Sequence, residues 1–160
     1  MIPLQTLREA FSRLCADVMS VVAPPVCPVC GAVLVQGEEH LCAGCLSRLE
    51  HTGYATVPGN PMEQRLERLT GRHIPALALS VYTHGEVSSR MVAAFKYGGA
   101  RTLAVYAGEL LGEVLQASGR FEGYHALVPV PLHPRRQRSR GYNQAAELCR
   151  GMQHTCGIPF

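Results

Sequence analysis

Two Cys-x-x-Cys pairs, Cys27-Pro28-Val29-Cys30 and Cys42-Ala43-Gly44-Cys45, lie eleven residues apart in a chain of 160. This spacing constrains the fold more than any other feature. Each pair can present two thiolates to one metal, and the short connection lets four sulfurs meet in the tetrahedron that a structural Zn²⁺ site requires. Pro28 stiffens the first turn, and Gly31 is placed to take the positive φ that such a knuckle needs. Two disulfides or four ordinary core thiols are the competing readings, and the paired spacing favours zinc. A closed set of four cysteines leaves no open coordination position, so the metal is expected as scaffold and not as catalyst. His40 could replace one thiolate or lie solvated beside the site.

The chain is 47% hydrophobic and 17% charged, which suits a folded core and excludes disorder. A net charge of +3 exerts no global pull toward nucleic acid. Lys96 is the only lysine and Asp17 the only aspartate. With four cysteines on a metal, Cys15, Cys149 and Cys156 are expected as buried thiols, and a reducing, cytoplasmic setting is implied. Arg8, Glu9, Arg13 and Asp17 break the first twenty residues, so no export signal forms. Leu4, Leu7, Phe11, Leu14, Val18 and Val21 recur there at helical spacing, up to Pro24-Pro25. Residues 1–25 therefore read as an amphipathic helix docked on the core, without membrane insertion.

Residues 26–50 form the cysteine region, and residues 51–73 a linker with a short helix that starts at Asn60-Pro61 and ends at Gly71. Residues 74–82 are an apolar run of strand length, with helix as the alternative. Helices are expected over 86–97, stopped by Gly98-Gly99, over 101–117 and over 143–152. Residues 126–130 read as a short buried strand, although Pro129 and Pro131 restrict its pairing. The alternation of strands and helices predicts an α/β class: a small zinc knuckle or ribbon followed by a parallel-sheet domain over 74–160.

Between the second strand and the last helix, Arg135, Arg136, Arg138 and Arg140 fall within six positions, followed by Gly141. An arginine-rich turn beyond a strand end and before a helix N-terminus is suited to phosphate or pyrophosphate. A solvated basic loop is the plain alternative. Lys96 is a further phosphate candidate, or an ordinary surface lysine at a helix C-terminus. His133 could assist proton transfer, bind phosphate or be structural. Tyr142, Asn143 and Gln144 could contact a base or ribose, or simply cap a helix.

The cysteine pairs, Phe95-Lys96-Tyr97-Gly98-Gly99, and the run from Val128 through Pro131-Leu132-His133 to Arg140-Gly141-Tyr142-Asn143-Gln144 occur in the order found in the ComF/GntX-like family, which the chain resembles over nearly its whole length. The resemblance implies a zinc-binding N-terminal region joined to a type I phosphoribosyltransferase-like domain, here over residues 74–160. It implies a phosphorylated ribose or nucleotide as ligand and a link to competence and DNA uptake. Such domains carry an acidic pair and a Thr/Gly-rich phosphate loop, with Mg²⁺ expected only in a complete family member. Neither feature is present, so the chain reads as C-terminally truncated and inactive alone as a transferase. The alternative function is a non-catalytic zinc-knuckle module that binds single-stranded DNA or a protein of the uptake machinery.

Overall fold

A computed structural model describes residues 24–160. The amphipathic helix expected over residues 1–25 falls almost wholly outside the described residues, as does Cys15. The described chain is mainly helical: α1 (Ala43–Leu46), a single 3-10 turn (Tyr54–Thr56), α2 (Pro61–Thr70), α3 (Val87–Tyr97), α4 (Arg101–Ser118), α5 (Pro134–Arg140) and α6 (Gln144–Cys156).

The expected α/β class is overturned. Among the described residues there is no sheet, only two isolated antiparallel bridges, Val26 with Val33 and His51 with Ser80. Neither apolar run is helical, and neither pairs with the other. Residues 79–81 pair instead with residues 50–52, where the cysteine region meets the linker: the Thr52 N–H donates to the Leu79 carbonyl at 3.3 Å, and the Val81 N–H to the Glu50 carbonyl at 2.9 Å. In the second run Pro129 and Pro131 have no N–H to offer. There the Leu127 N–H reaches the Pro159 carbonyl at 2.8 Å, while Val128 and Val130 remain 85% and 75% exposed. Strand-length hydrophobicity is present, but the ladder that would make a parallel sheet of it is not.

The helices form where local chemistry demands them. Asn60 caps α2, its Oδ1 accepting from the N–H groups of Met62 and Glu63 at 3.0 and 3.1 Å, and Pro61 occupies the first helical position. Gly71, at φ +67°, closes it. Val87, Met91 and Phe95 recur every four residues on α3 and are all buried. Each such side chain contributes about 1.5–3 kcal/mol on leaving water. They join Leu103, Ala104 and Ala107 of α4 and Cys27, Val29, Leu34, Leu41, Cys42, Cys45 and Leu49 in one continuous core. The cysteine region is thus docked on α3 and α4 and is no separate bead.

α4 and α6 cross at very close range, and glycine makes this possible. A methyl group on Gly108 would overlap the Leu148 carbonyl, one on Gly151 would overlap the Val105 carbonyl, and one on Gly112 would overlap the Thr155 hydroxyl. The crossing is fastened by buried Glu147, which pairs with Arg101 at 2.7 Å and with Arg150. Burial pushes the Glu147 carboxyl up, and the two guanidinium groups more than offset this, so its pKa is lowered.

A second buried polar cluster joins the linker to the end of α4. Asn60 Nδ2 donates to the Tyr54, Val57 and Ala76 carbonyls. Glu63 accepts from the N–H groups of Ala76 (3.0 Å) and Gly59 (2.6 Å) and pairs with Arg120 at 2.5 Å. Arg120 also donates to the Tyr54, Ala55 and Val57 carbonyls. Among the described residues no helix is long and apolar enough to cross a membrane.

Candidate metal centre and basic cleft

The four cysteines meet. The Sγ atoms of Cys27, Cys30, Cys42 and Cys45 all lie within 4.8 Å of one another, and those of Cys30 and Cys42 are 3.6 Å apart. A tetrahedral Zn²⁺ with Zn–S bonds of about 2.3 Å needs sulfurs about 3.8 Å apart, so the cluster fits the ion. Two local turns build it. The Gly31 N–H donates to the Cys27 carbonyl at 2.8 Å, with Gly31 at φ +77° as the knuckle demands. On the other side Cys42 precedes α1, and its carbonyl accepts from the N–H groups of Cys45 and Leu46. Glu38 ties the two sides by accepting from Ala43 N–H at 2.6 Å and Val35 N–H at 3.0 Å; these donors lower its pKa.

Cys27, Cys42 and Cys45 are buried and Cys30 is exposed; all four are free thiols. Burial alone would raise the Cys27 thiol, but the backbone N–H groups of Cys42, Val29 and Cys30 outweigh it and bring the pKa down to about 6. Burial pushes the Cys45 thiol up to about 12, reinforced by the three neighbouring sulfurs. The Cys45 N–H acts to lower the Cys42 thiol, yet burial and its neighbours prevail and raise it. Four sulfurs in one small space cannot all ionise without a cation between them. The group held here is structural zinc. His40 is outside the donor set: its ring lies against Tyr106, with centroids 5.3 Å apart.

The arginine-rich segment is not the loop expected before α6. It is itself a helix, α5, capped by His133, whose Nδ1 accepts from the Arg135 N–H at 3.3 Å, and closed by Gly141 at φ +79°. His133 is therefore structural. Helical spacing separates the arginines, because only residues three or four apart share a face. Arg136 and Arg140, with Ser139, line a cleft of about 550 Å³ whose opposite wall is Lys96, Tyr97 and Gly99. Arg138 and Gly141 face a different depression of about 380 Å³ with Pro134 and Gln137. Arg135 lines neither. The six candidate anion residues are thus divided, with Lys96, Arg136 and Arg140 together.

Several contacts hold the cleft open and oriented. The Tyr142 hydroxyl donates to the Phe95 carbonyl at 2.6 Å, joining the end of α5 to the end of α3. Arg140 lies over the Tyr97 ring at 5.3 Å and donates to Gln144 Oε1 at 3.1 Å. Asn143 caps α6 by accepting from the Ala145 N–H, and it donates to the Val130 carbonyl. Tyr142, Asn143 and Gln144 thus have structural partners. Ser139 is a cleft residue that does not stand out in the sequence, and Tyr97 does so only as part of the Phe95–Gly99 segment. The signal for both was periodicity and adjacency: Ser139 lies three residues from Arg136, and Tyr97 adjoins Lys96.

Residues 18–67 match a family described as a double zinc ribbon domain. The matched span contains four cysteines, all of them in the cluster of Cys27, Cys30, Cys42 and Cys45, and so one complete tetrahedral set. No curated protein and no solved structure matches the chain.

Proposed function

We propose that this chain is a non-catalytic, zinc-stabilised module that binds single-stranded nucleic acid. The observation that carries this reading is the cleft in which Lys96, Arg136 and Arg140 converge beside Tyr97. Tyr97 is 79% exposed. Cations that track a phosphate backbone, combined with an aromatic face for a base, are what sequence-tolerant single-strand binding needs. The resemblance to the ComF/GntX-like family points to DNA uptake as the setting, and a zinc–thiolate site suits the cytoplasm.

The cleft volume also falls in the range of small-ligand sites, so a mononucleotide or pyrophosphate is the second reading. Fluorescence anisotropy with a labelled oligothymidylate separates them. Three phosphate contacts on a single strand give a slope of log affinity on log salt of about −2. The Arg136→Ala, Arg140→Ala double variant should abolish most of that slope, and Tyr97→Ala should weaken binding by about 1–3 kcal/mol. Tighter binding of pyrophosphate or a mononucleotide than of the oligomer favours the second reading. Oligomer affinity that ignores all three substitutions would dismiss the cleft as a nucleic-acid site.

A further inference from the structure

We infer that zinc at the four cysteines governs ligand affinity at the basic cleft, with α3 and the Tyr142 hydroxyl as the connection. This coupling rests on the cleft being the binding site proposed for nucleic acid, and it concerns the regulation of that site. One face of α3, along its whole length, is embedded with the metal centre. Val87, Met91 and Phe95 share a core with Cys27, Cys42 and Cys45, and seven of the thirteen residues of that core come from the cysteine region. The C-terminal end of α3 opens on the cleft, because Lys96 and Tyr97 directly succeed Phe95 and form one wall. Phe95 belongs to both places: its side chain is buried in the shared core, and its carbonyl accepts the Tyr142 hydroxyl that holds the opposite wall in register.

The cysteine region has little apolar mass of its own, so the metal supplies much of its order. Withdrawing zinc loosens the core that Phe95 shares with the cysteine region, and the position of the Phe95 carbonyl shifts with it. The Tyr142 contact then lengthens, and Arg136 and Arg140 lose their alignment with Lys96. By linkage, a ligand that requires the aligned cleft must raise zinc affinity by the same factor by which zinc raises ligand affinity.

The experiment measures both directions on the full chain. Oligothymidylate affinity is compared in the zinc-loaded protein and after removal of zinc by a chelator. Zinc affinity is measured by competition with a chromophoric chelator, with and without saturating oligothymidylate. We expect each ligand to tighten the other by at least about fivefold, the lower end of usual coupling. Because removal of the metal can unfold the chain outright, Tyr142→Phe provides the discriminating arm. It keeps the ring and removes the strut, so zinc affinity without oligomer and helical content should be unchanged, while tightening by the oligomer should fall below about twofold, on the order of experimental error. Undiminished coupling in Tyr142→Phe overturns the route through Phe95. Equal oligomer affinity with and without zinc overturns the coupling but leaves the cleft intact as a binding site. Failure of the oligomer to bind either form rejects the cleft as a nucleic-acid site, and the coupling with it.

Discussion

Cys27 and Cys45 donate to the same centre, yet their thiols are displaced in opposite directions, to about 6 and about 12. Both are buried, so the difference comes from the backbone donors that surround Cys27 and from the neighbouring sulfurs that raise Cys45. Zinc should protect both thiols from iodoacetamide, and chelation should expose both. Peptide mapping by mass spectrometry checks this, and unchanged alkylation after chelation would contradict it. Glu63 offers a second test at this scale. The Ala76 N–H is the largest influence holding it down; burial opposes, and Arg120 and the Gly59 N–H complete a net lowering from 4.5 to about 2. A carboxylate with a depressed folded-state pKa contributes stability above its unfolded value and loses that contribution as pH falls through the folded one. The gap in Tm between the protein and Glu63→Gln should thus be full above about pH 5 and narrow steadily toward about pH 2. A gap independent of pH would show that the charge of Glu63 is immaterial.

At the scale of elements, the α4–α6 crossing is the least forgiving contact in the fold. In an exposed helix, Gly→Ala gains about 1 kcal/mol in helix propensity. At Gly151 or Gly108 the added methyl would meet backbone of the facing helix, which cannot swing aside as a side chain can. Overpacking of this kind costs about 1–3 kcal/mol or more, so Gly151→Ala should destabilise despite its better propensity. Urea unfolding followed by circular dichroism reads the sign directly: the midpoint should fall with little change in slope. A raised midpoint would mean that the helices part easily. α5 shows the same principle in a short element. Its arginines look interchangeable in sequence, but a seven-residue helix assigns Arg136 and Arg140 to one face and Arg138 to another. Arg138→Ala should therefore leave oligothymidylate affinity within about twofold, well short of the loss expected on removal of a charge-assisted contact.

At the scale of the whole molecule, the metal centre and the helices share one interior. Chelation should therefore remove more than local order around the cysteines. We expect part of the helical far-ultraviolet signal to fall as zinc is released, and to return when zinc is restored. Were the cysteine region an independent bead, the signal of α3, α4 and α6 would persist after chelation. Titration with a strong chelator, monitored at once by circular dichroism and by a zinc-sensitive dye, distinguishes the two outcomes.

The features legible in the sequence were local in origin. The zinc donors are set by the spacing of Cys27, Cys30, Cys42 and Cys45, since a two-residue gap dictates thiol geometry over a single turn. Both limits of α2, the boundary between α3 and α4 and the start of α6 are set by Asn60-Pro61, Gly71, Gly98-Gly99 and Asn143, because caps and breakers act within a few residues; α6 runs on to Cys156, past the expected end at residue 152. The Asn60–Glu63–Arg120 cluster was visible only in part: the cap could be inferred, but not the arginine that reaches it from 57 residues away. The sheet was misjudged because strand pairing is a long-range choice, and apolar runs at 74–82 and 126–130 carry no record of their partners. For the same reason, only tertiary structure decided that Lys96 faces Arg136 and Arg140, that Gly151 lets two helices meet at backbone distance, and that the metal centre lies in the same core as the helix that ends at the cleft.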